Sequence, residues 1–193
     1  MIRWKLVVTC AGVLLFAGAC GGSLYKVKPV VELSPLTNEA KRGSAGGLDF
    51  AVAPLLSDEE SQDLFEANLP LAGVLPLRIE LGYESGVPVE IKKTRFHLRD
   101  GAGKEWKLVS PKQAISRILK ANEVYAYNPN SRKQFEKEFG AYGLDLKTPL
   151  TAGERRRQGF LFFQTPDKEA VSSPRGLVLV IEGLTEPLSI SIN

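Results

Sequence analysis

Cysteine and histidine are nearly absent from this chain. Its 193 residues include two cysteines, Cys10 and Cys20, and one histidine, His97. A single imidazole excludes zinc sites that need two histidines, and any Ser-His-Asp triad would have to use His97. The sequence also lacks a Gly-x-Ser-x-Gly motif, a phosphate-binding loop and a dinucleotide-binding fingerprint. The sequence therefore predicts no cofactor, no metal and no motif-based enzyme.

The first nineteen residues have the pattern of an export signal. Arg3 and Lys5 precede an uncharged run at residues 6–19. As a helix this run would reach roughly 21 Å, which is short of a hydrocarbon core of about 30 Å. Residues 1–19 are thus predicted to be a cleaved signal peptide, with an uncleaved membrane anchor as the lesser alternative.

Small residues stand directly before the second cysteine, in the order Ala17, Gly18, Ala19, Cys20. This run resembles the lipobox of bacterial lipoproteins. The resemblance implies cleavage before Cys20, acyl chains such as palmitate on that residue, and a lipid bilayer as partner. Ala17 stands where that family usually has Leu, so an ordinary signal peptide cut elsewhere is the alternative. Gly21 rather than Asp follows the cysteine, which implies the outer membrane, facing the periplasm, if the cell has two membranes.

Removal of the signal leaves little net charge. Arg3 and Lys5 leave with it, so the remainder has 23 basic and 22 acidic residues. This balance predicts no nucleic-acid partner. The resemblance implies that Cys10 is removed with the signal and that Cys20 is acylated, so we expect no disulfide in the exported part.

The exported part divides into a linker and one domain. Residues 20–47 are predicted to be a lipidated tether and linker, with an edge strand at 24–28 and a glycine-rich loop at 39–47. Residues 48–193 are long enough for a single ordinary core.

Most of this domain has strand periodicity. Apolar residues alternate at 48–53, 75–81, 95–99, 105–109 and 188–192, and they are continuous at 160–163 and 177–181. Trp106 and Leu108 are both predicted to point inward. About eight short strands with hairpin connections predict a mainly β fold, an antiparallel immunoglobulin-like β-sandwich.

Two helical segments interrupt the strands. Residues 57–60 form a Ser-x-x-Glu capping box ahead of a short helix to about residue 68, although the three adjacent carboxylates could instead bind a cation. Residues 110–140 carry two further helix starts and predict an inserted pair of short helices. A continuous apolar strand is covered on both faces, so this pair should pack outside the strand at 160–163.

The domain also resembles a loosely defined group of bacterial lipoproteins of unknown function. The residues that carry the resemblance are the helix start at 57–60, the strand at 73–80 and the strand at 159–163. The group implies no active residues that could be transferred to this chain.

Two sets of side chains are candidates for contact with a partner. Arg155, Arg156 and Arg157 could bind phosphate, lipid headgroups or a polyanion, or could guard the aggregation-prone apolar strand that follows. Tyr125 and Tyr127 stand near a predicted helix–helix tip and could contact another protein.

Three functions fit these features. The first is a membrane-tethered, non-catalytic adaptor or structural subunit of the cell envelope. The second is a binder of a small ligand or polysaccharide, which needs a concave apolar pocket with a few polar groups. The third is a carboxylate-based cell-wall hydrolase, which needs two facing acids rather than a motif. His97, between Arg95 and Arg99, is predicted to be an exposed surface histidine.

Overall fold

A computed structural model describes residues 22–37, 39–83, 87–151 and 153–193. The predicted signal peptide and Cys20 lie outside these residues.

Eight antiparallel strands form the body of the protein. They are β1 Lys41–Ala45, β2 Leu48–Pro54, β3 Val74–Tyr83, β4 Arg95–Arg99, β5 Glu105–Val109, β6 Arg156–Gln164, β7 Val178–Glu182 and β8 Leu188–Ser191. Their order in the sheet is β1-β2-β3-β6-β5-β4-β7-β8. The mainly β, antiparallel character predicted from alternation is confirmed.

The sheet curls until its two edges meet. β1 lies beside β8, and a Cβ on Gly43 would sit only 3.0 Å from Cδ1 of Leu188. The strand pairs that the structure describes do not include β1 with β8, so the result is a nearly closed, barrel-like sheet. The predicted immunoglobulin-like sandwich is not confirmed. Alternation shows that one face of each strand is buried, but it does not distinguish two facing sheets from one curled sheet.

Three α-helices lie outside the sheet: α1 Asp58–Phe65, α2 Pro111–Ala121 and α3 Pro129–Gly140. The capping boxes predicted at residues 57 and 110 are present, with Ser57 Oγ accepting from the Glu60 N–H and Ser110 Oγ accepting from the Gln113 N–H. The start predicted for the last helix, at Ser131, was wrong, because Asn128 caps it three residues earlier. The carboxylates at 58–60 therefore occupy the start of a helix, where its dipole favours negative charge.

Two apolar cores lie on the two faces of the sheet. The inner core fills the barrel with side chains from the strands, including Phe50, Leu77, Ile79, Leu98, Trp106, Leu161, Phe163, Leu179 and Ile181. The outer core lies between the sheet and the helices and includes Phe65, Ile115, Ile118, Phe135, Phe139, Tyr142, Phe160 and Phe162.

Strand β6 belongs to both cores. Leu161 and Phe163 point into the barrel, whereas Phe160 and Phe162 point at the helices, and all four are buried. Phe139 of α3 stacks on Phe162 with ring centroids 4.9 Å apart. The prediction that the inserted helical pair covers the outer face of this strand is confirmed.

The N-terminal segment differs from its prediction. Residues 24–28 form no strand, and the edge strand of this region is β1, within the stretch predicted to be a loop. Residues 24–30 instead lie against the outer core, where Val27 is buried. Local alternation predicted pairing, but the apolar side chains are buried by helices rather than by a neighbouring strand.

Candidate functional site

The sheet opens between β4 and β5. These strands pair only at Leu98 with Trp106 and at Arg99 with Glu105. Beyond that point β4 continues along β7, and β5 continues along β6 from Lys107 onward. The two strands therefore diverge and leave a wedge-shaped gap in the barrel wall, which we call the β4–β5 cleft.

The β4–β5 cleft encloses about 590 Å³. Its lining residues are Thr94, Arg95, Phe96, His97, Glu105, Trp106, Lys107, Leu108 and Leu146. Phe96 and Trp106 are buried at its floor, whereas Leu108 is 40% exposed. The prediction that Leu108 points into the core was wrong, because β4 does not extend far enough along β5 to cover it.

His97 lies at the polar rim of the cleft between two carboxylates. Its Nδ1 is 2.9 Å from Oε1 of Glu105, and its Nε2 is 3.8 Å from Oε2 of Glu182. The hydrogen bond from His97 holds the pKa of Glu105 below its ordinary value. The predicted surface histidine is only one-third exposed at its side chain, and its neighbours hold the ring in a defined orientation.

Thr94 adds a polar group without a partner to the same cleft. The residue is 8% exposed, and its Oγ1 is buried with no hydrogen-bond partner. An unpaired buried hydroxyl is unfavourable by about 1–3 kcal/mol. Because this hydroxyl is shielded from solvent, it is not open to a ligand in the cleft. The polar groups that a ligand could reach are His97 and Glu105, which are partly exposed beside the apolar walls.

A second, larger cavity of about 670 Å³ lies beside the β4–β5 turn. Two acids, Asp100 and Asp167, line it. Asp100 already accepts hydrogen bonds from the N–H groups of Ala102 and Lys104 and from Nε1 of Trp106. These bonds close the turn itself. Asp100 is therefore not available to a ligand in this cavity.

The predicted arginine cluster is divided by the structure. Arg155 and Arg156 are exposed, and Arg156 reaches Glu80 only at 3.8 Å. Arg157 is 7% exposed and donates to both oxygens of Glu154 and to the carbonyls of Asp145, Thr148 and Pro149. Its donors are occupied within the fold, so Arg157 holds the loop at 145–149 in place and is not available to a partner.

The two predicted tyrosines also differ. Tyr125, between α2 and α3, is 78% exposed. Tyr127 packs against the outer core, and its hydroxyl accepts a hydrogen bond from Arg132. Neither tyrosine lies at the β4–β5 cleft. Sequence reasoning missed the cleft, because alternation does not reveal where strand pairing stops.

Comparison with protein-family models, curated proteins and solved structures finds no match for this chain. None of the helices in the described residues is long and apolar enough to cross a membrane. Within the same residues, no group of three or more His, Cys, Asp or Glu side chains is placed to hold a metal ion.

Proposed function

We propose that this protein is a bacterial envelope lipoprotein, anchored through acyl chains on Cys20, whose domain serves as a non-catalytic adaptor or structural subunit. The observation that carries the proposal is the run of small residues ending in Cys20 behind a short apolar leader. In a cell with two membranes we expect the domain at the outer membrane, facing the periplasm. A second acyl chain is needed for stable anchoring, since one chain binds only marginally.

Acylation can be tested with a palmitate analogue fed to expressing cells. We expect the wild-type protein and Cys10→Ala to incorporate the analogue, and Cys20→Ala to incorporate none. Mass spectrometry of the purified protein should find a modified Cys20 at the N-terminus. An unmodified Cys20, or a leader still attached, would contradict the proposal.

The adaptor role requires a surface for another protein, and Arg155 and Arg156 are the exposed part of the arginine cluster. A photo-crosslinking residue at position 156 should capture one envelope protein in intact cells. The same group at Glu59, an exposed position on α1, serves as the control. Equal capture at both positions, or none, would contradict this assignment.

The β4–β5 cleft supports a second candidate function, the binding of a small amphipathic molecule. Its apolar part would contact Phe96, Trp106 and Leu108, and a polar group would face His97 and Glu105. The volume of about 590 Å³ lies in the range of small-ligand sites, which is about 300–1,000 Å³.

This binding can be tested with the probe 1-anilinonaphthalene-8-sulfonate. We expect saturable binding to the wild type, and its loss in Leu108→Glu, which places a charge in the cleft. Leu71→Glu is the matched control, because Leu71 is exposed and does not line the cleft. Unchanged binding in Leu108→Glu would exclude the cleft as the binding site.

The hydrolase alternative gains no support from the acids at this cleft. A glycosidase needs open space between its two carboxylates for the sugar and, in inverting enzymes, a water. The imidazole of His97 fills the space between Glu105 and Glu182. We therefore do not propose hydrolysis at the β4–β5 cleft.

A further inference from the structure

The N-terminal segment is attached to the domain almost from its first described residue. The N–H of Leu24 donates to the carbonyl of Ser131 at 3.3 Å, and the N–H of Lys26 donates to Oε2 of Glu66 at 2.6 Å. Ser131 lies in the first turn of α3, and Glu66 caps the end of α1. The segment is therefore part of the folded layer and not a free tether.

Side chains hold the same segment in place. The ring of Tyr25 lies 5.1 Å from that of Phe135, and Val27 is buried in the outer core. The hydroxyl of Tyr142 donates to the carbonyl of Lys28 at 2.6 Å. Further along, the guanidinium of Arg78 donates to the carbonyl of Ser34. Contacts spread over eleven residues, from Leu24 to Ser34, hold the segment against the domain.

Only a few residues separate this attached segment from Cys20. Four residues span at most about 14 Å when fully extended. An acylated Cys20 sulfur lies at the headgroup level of a bilayer, so Leu24 and the start of α3 beside it are held within about that distance. This is close to the diameter of one helix, about 10–12 Å.

We propose that the connection between α2 and α3, together with the first turn of α3 (residues 122–131), rests on the headgroup surface of the membrane that holds the anchor. The inference rests on the proposed acylation of Cys20. It replaces a swinging tether with a domain held in one orientation, and it assigns the exposed Tyr125 to the lipid surface rather than to another protein.

The chemistry of this connection suits a lipid headgroup layer. Tyr125 is 78% exposed, and tyrosine combines an apolar ring with a polar tip, as residues at membrane interfaces do. The exposed residues 128–130 are uncharged, and Glu123 is the one acidic residue of the segment 122–131. Lys120 and Lys133 are exposed on either side, where they can approach anionic lipid phosphates.

The direction of α3 shows which end of the barrel would lie farther from the membrane. Phe139 stacks on Phe162, and the following Tyr142 contacts Phe160, so α3 begins near the C-terminal end of β6. Strand pairing through β5, β4 and β7 places the β7–β8 loop at the opposite end of the barrel. Glu186, exposed in that loop, is therefore the reference position far from the membrane.

The test uses the acylated protein reconstituted in phosphatidylethanolamine–phosphatidylglycerol vesicles that contain lipids with a nitroxide headgroup. The acylated mature chain has no free thiol, so Tyr125→Cys and Glu186→Cys each supply a single site for a fluorophore. Both positions are exposed, so both variants are expected to fold. We expect the nitroxide to quench the label at position 125 several-fold more than the label at position 186.

The outcomes separate the two proposals. Anchored protein with equal quenching at both positions would overturn the orientation and leave the lipoprotein proposal standing. The same holds if a photo-crosslinker at position 125 captures a protein and no lipid. Labelling of the wild type by the thiol reagent would reveal an unmodified Cys20 and would overturn both.

Discussion

The inner and outer cores bury opposite faces of the same strands with different side chains. The inner core is mainly aliphatic and is assembled by strands far apart in the sequence. The outer core is rich in aromatic rings, with Phe65 at its centre. A curled sheet offers a narrow interior that branched side chains fill, whereas helices on a convex surface leave wider gaps that rings fill. Strand β6 is continuously apolar because it contributes one face to each core.

The contributions of the two cores to stability can be compared by replacing one large buried side chain in each core with alanine. Phe65→Ala removes a ring whose centroid lies 5.0 Å from those of both Phe139 and Tyr142. We expect a loss of about 3–5 kcal/mol in the free energy of unfolding, against about 2–5 kcal/mol for Leu77→Ala in the barrel. Urea unfolding of the mature chain measures both.

The two variants also test whether the cores unfold together. Trp106 fluorescence reports the inner core, and far-ultraviolet circular dichroism also reports the helices over the outer core. Because β3 and β6 contribute to both cores, we expect coincident transitions in each variant. A Phe65→Ala protein that lost its helical signal before Trp106 was exposed would show that the outer layer is a separate unit.

A smaller loss of stability should follow from removing the buried hydroxyl of Ser61, which lies in α1 beside the outer core. Ser61 Oγ donates to the carbonyl of Ala67 at 2.8 Å and accepts from the N–H of Leu69 at 3.0 Å. Ser61→Ala leaves both main-chain groups buried without this partner, at about 1–3 kcal/mol. Ser116→Ala is the matched control, because Ser116 lies on the exposed face of α2. It should change the free energy of unfolding by less than about 0.5 kcal/mol. Equal values for the two variants would contradict this role.

The smallest expected change in the free energy of unfolding concerns the loop at 145–149, which Arg157 holds in place together with Glu154. Hydrogen bonds from Arg157 hold the pKa of Glu154 below its ordinary value. Because the pKa of Glu154 is lower in the folded state, its carboxylate stabilises the fold at any pH above its ordinary pKa, which is near 4.3. This stabilisation is lost as the pH falls through the lower pKa of the folded state. We expect Glu154→Gln to be less stable than wild type at pH 7 by less than about 1 kcal/mol, because the carboxylate is partly exposed.

That difference should shrink as the pH falls below 4, where the wild-type carboxylate becomes protonated. Urea unfolding at pH 7 and pH 3 measures it. Glu186→Gln, in an exposed loop, controls for the loss of one negative charge. A difference that persisted unchanged at pH 3 would show that hydrogen bonding by the neutral groups, and not charge, holds the loop.

Local patterns predicted most of the elements correctly. The capping boxes at Ser57 and Ser110 involve residues three apart, so the helix starts could be recognised without knowledge of the fold. The unbroken apolar run at 160–163 likewise indicated that both faces of β6 are covered. The strand predicted at 24–28 failed because alternation reports which side chains are buried and not what buries them.

The β4–β5 cleft could not be predicted for the same reason. Leu108 continues the alternation of Trp106, yet it is exposed because the partner strand diverges. Arg157 looks identical in sequence to Arg155 and Arg156, and only its buried hydrogen bonds distinguish it.

The sequence by itself determined strands β2 to β8 and the helix starts at Ser57 and Ser110, because each depends on residues close together in the chain. Only the tertiary structure decided that the sheet curls, that β4 and β5 separate, and that the N-terminal segment lies on α1 and α3. These features depend on contacts between residues dozens of positions apart, and such contacts leave no local pattern to recognise.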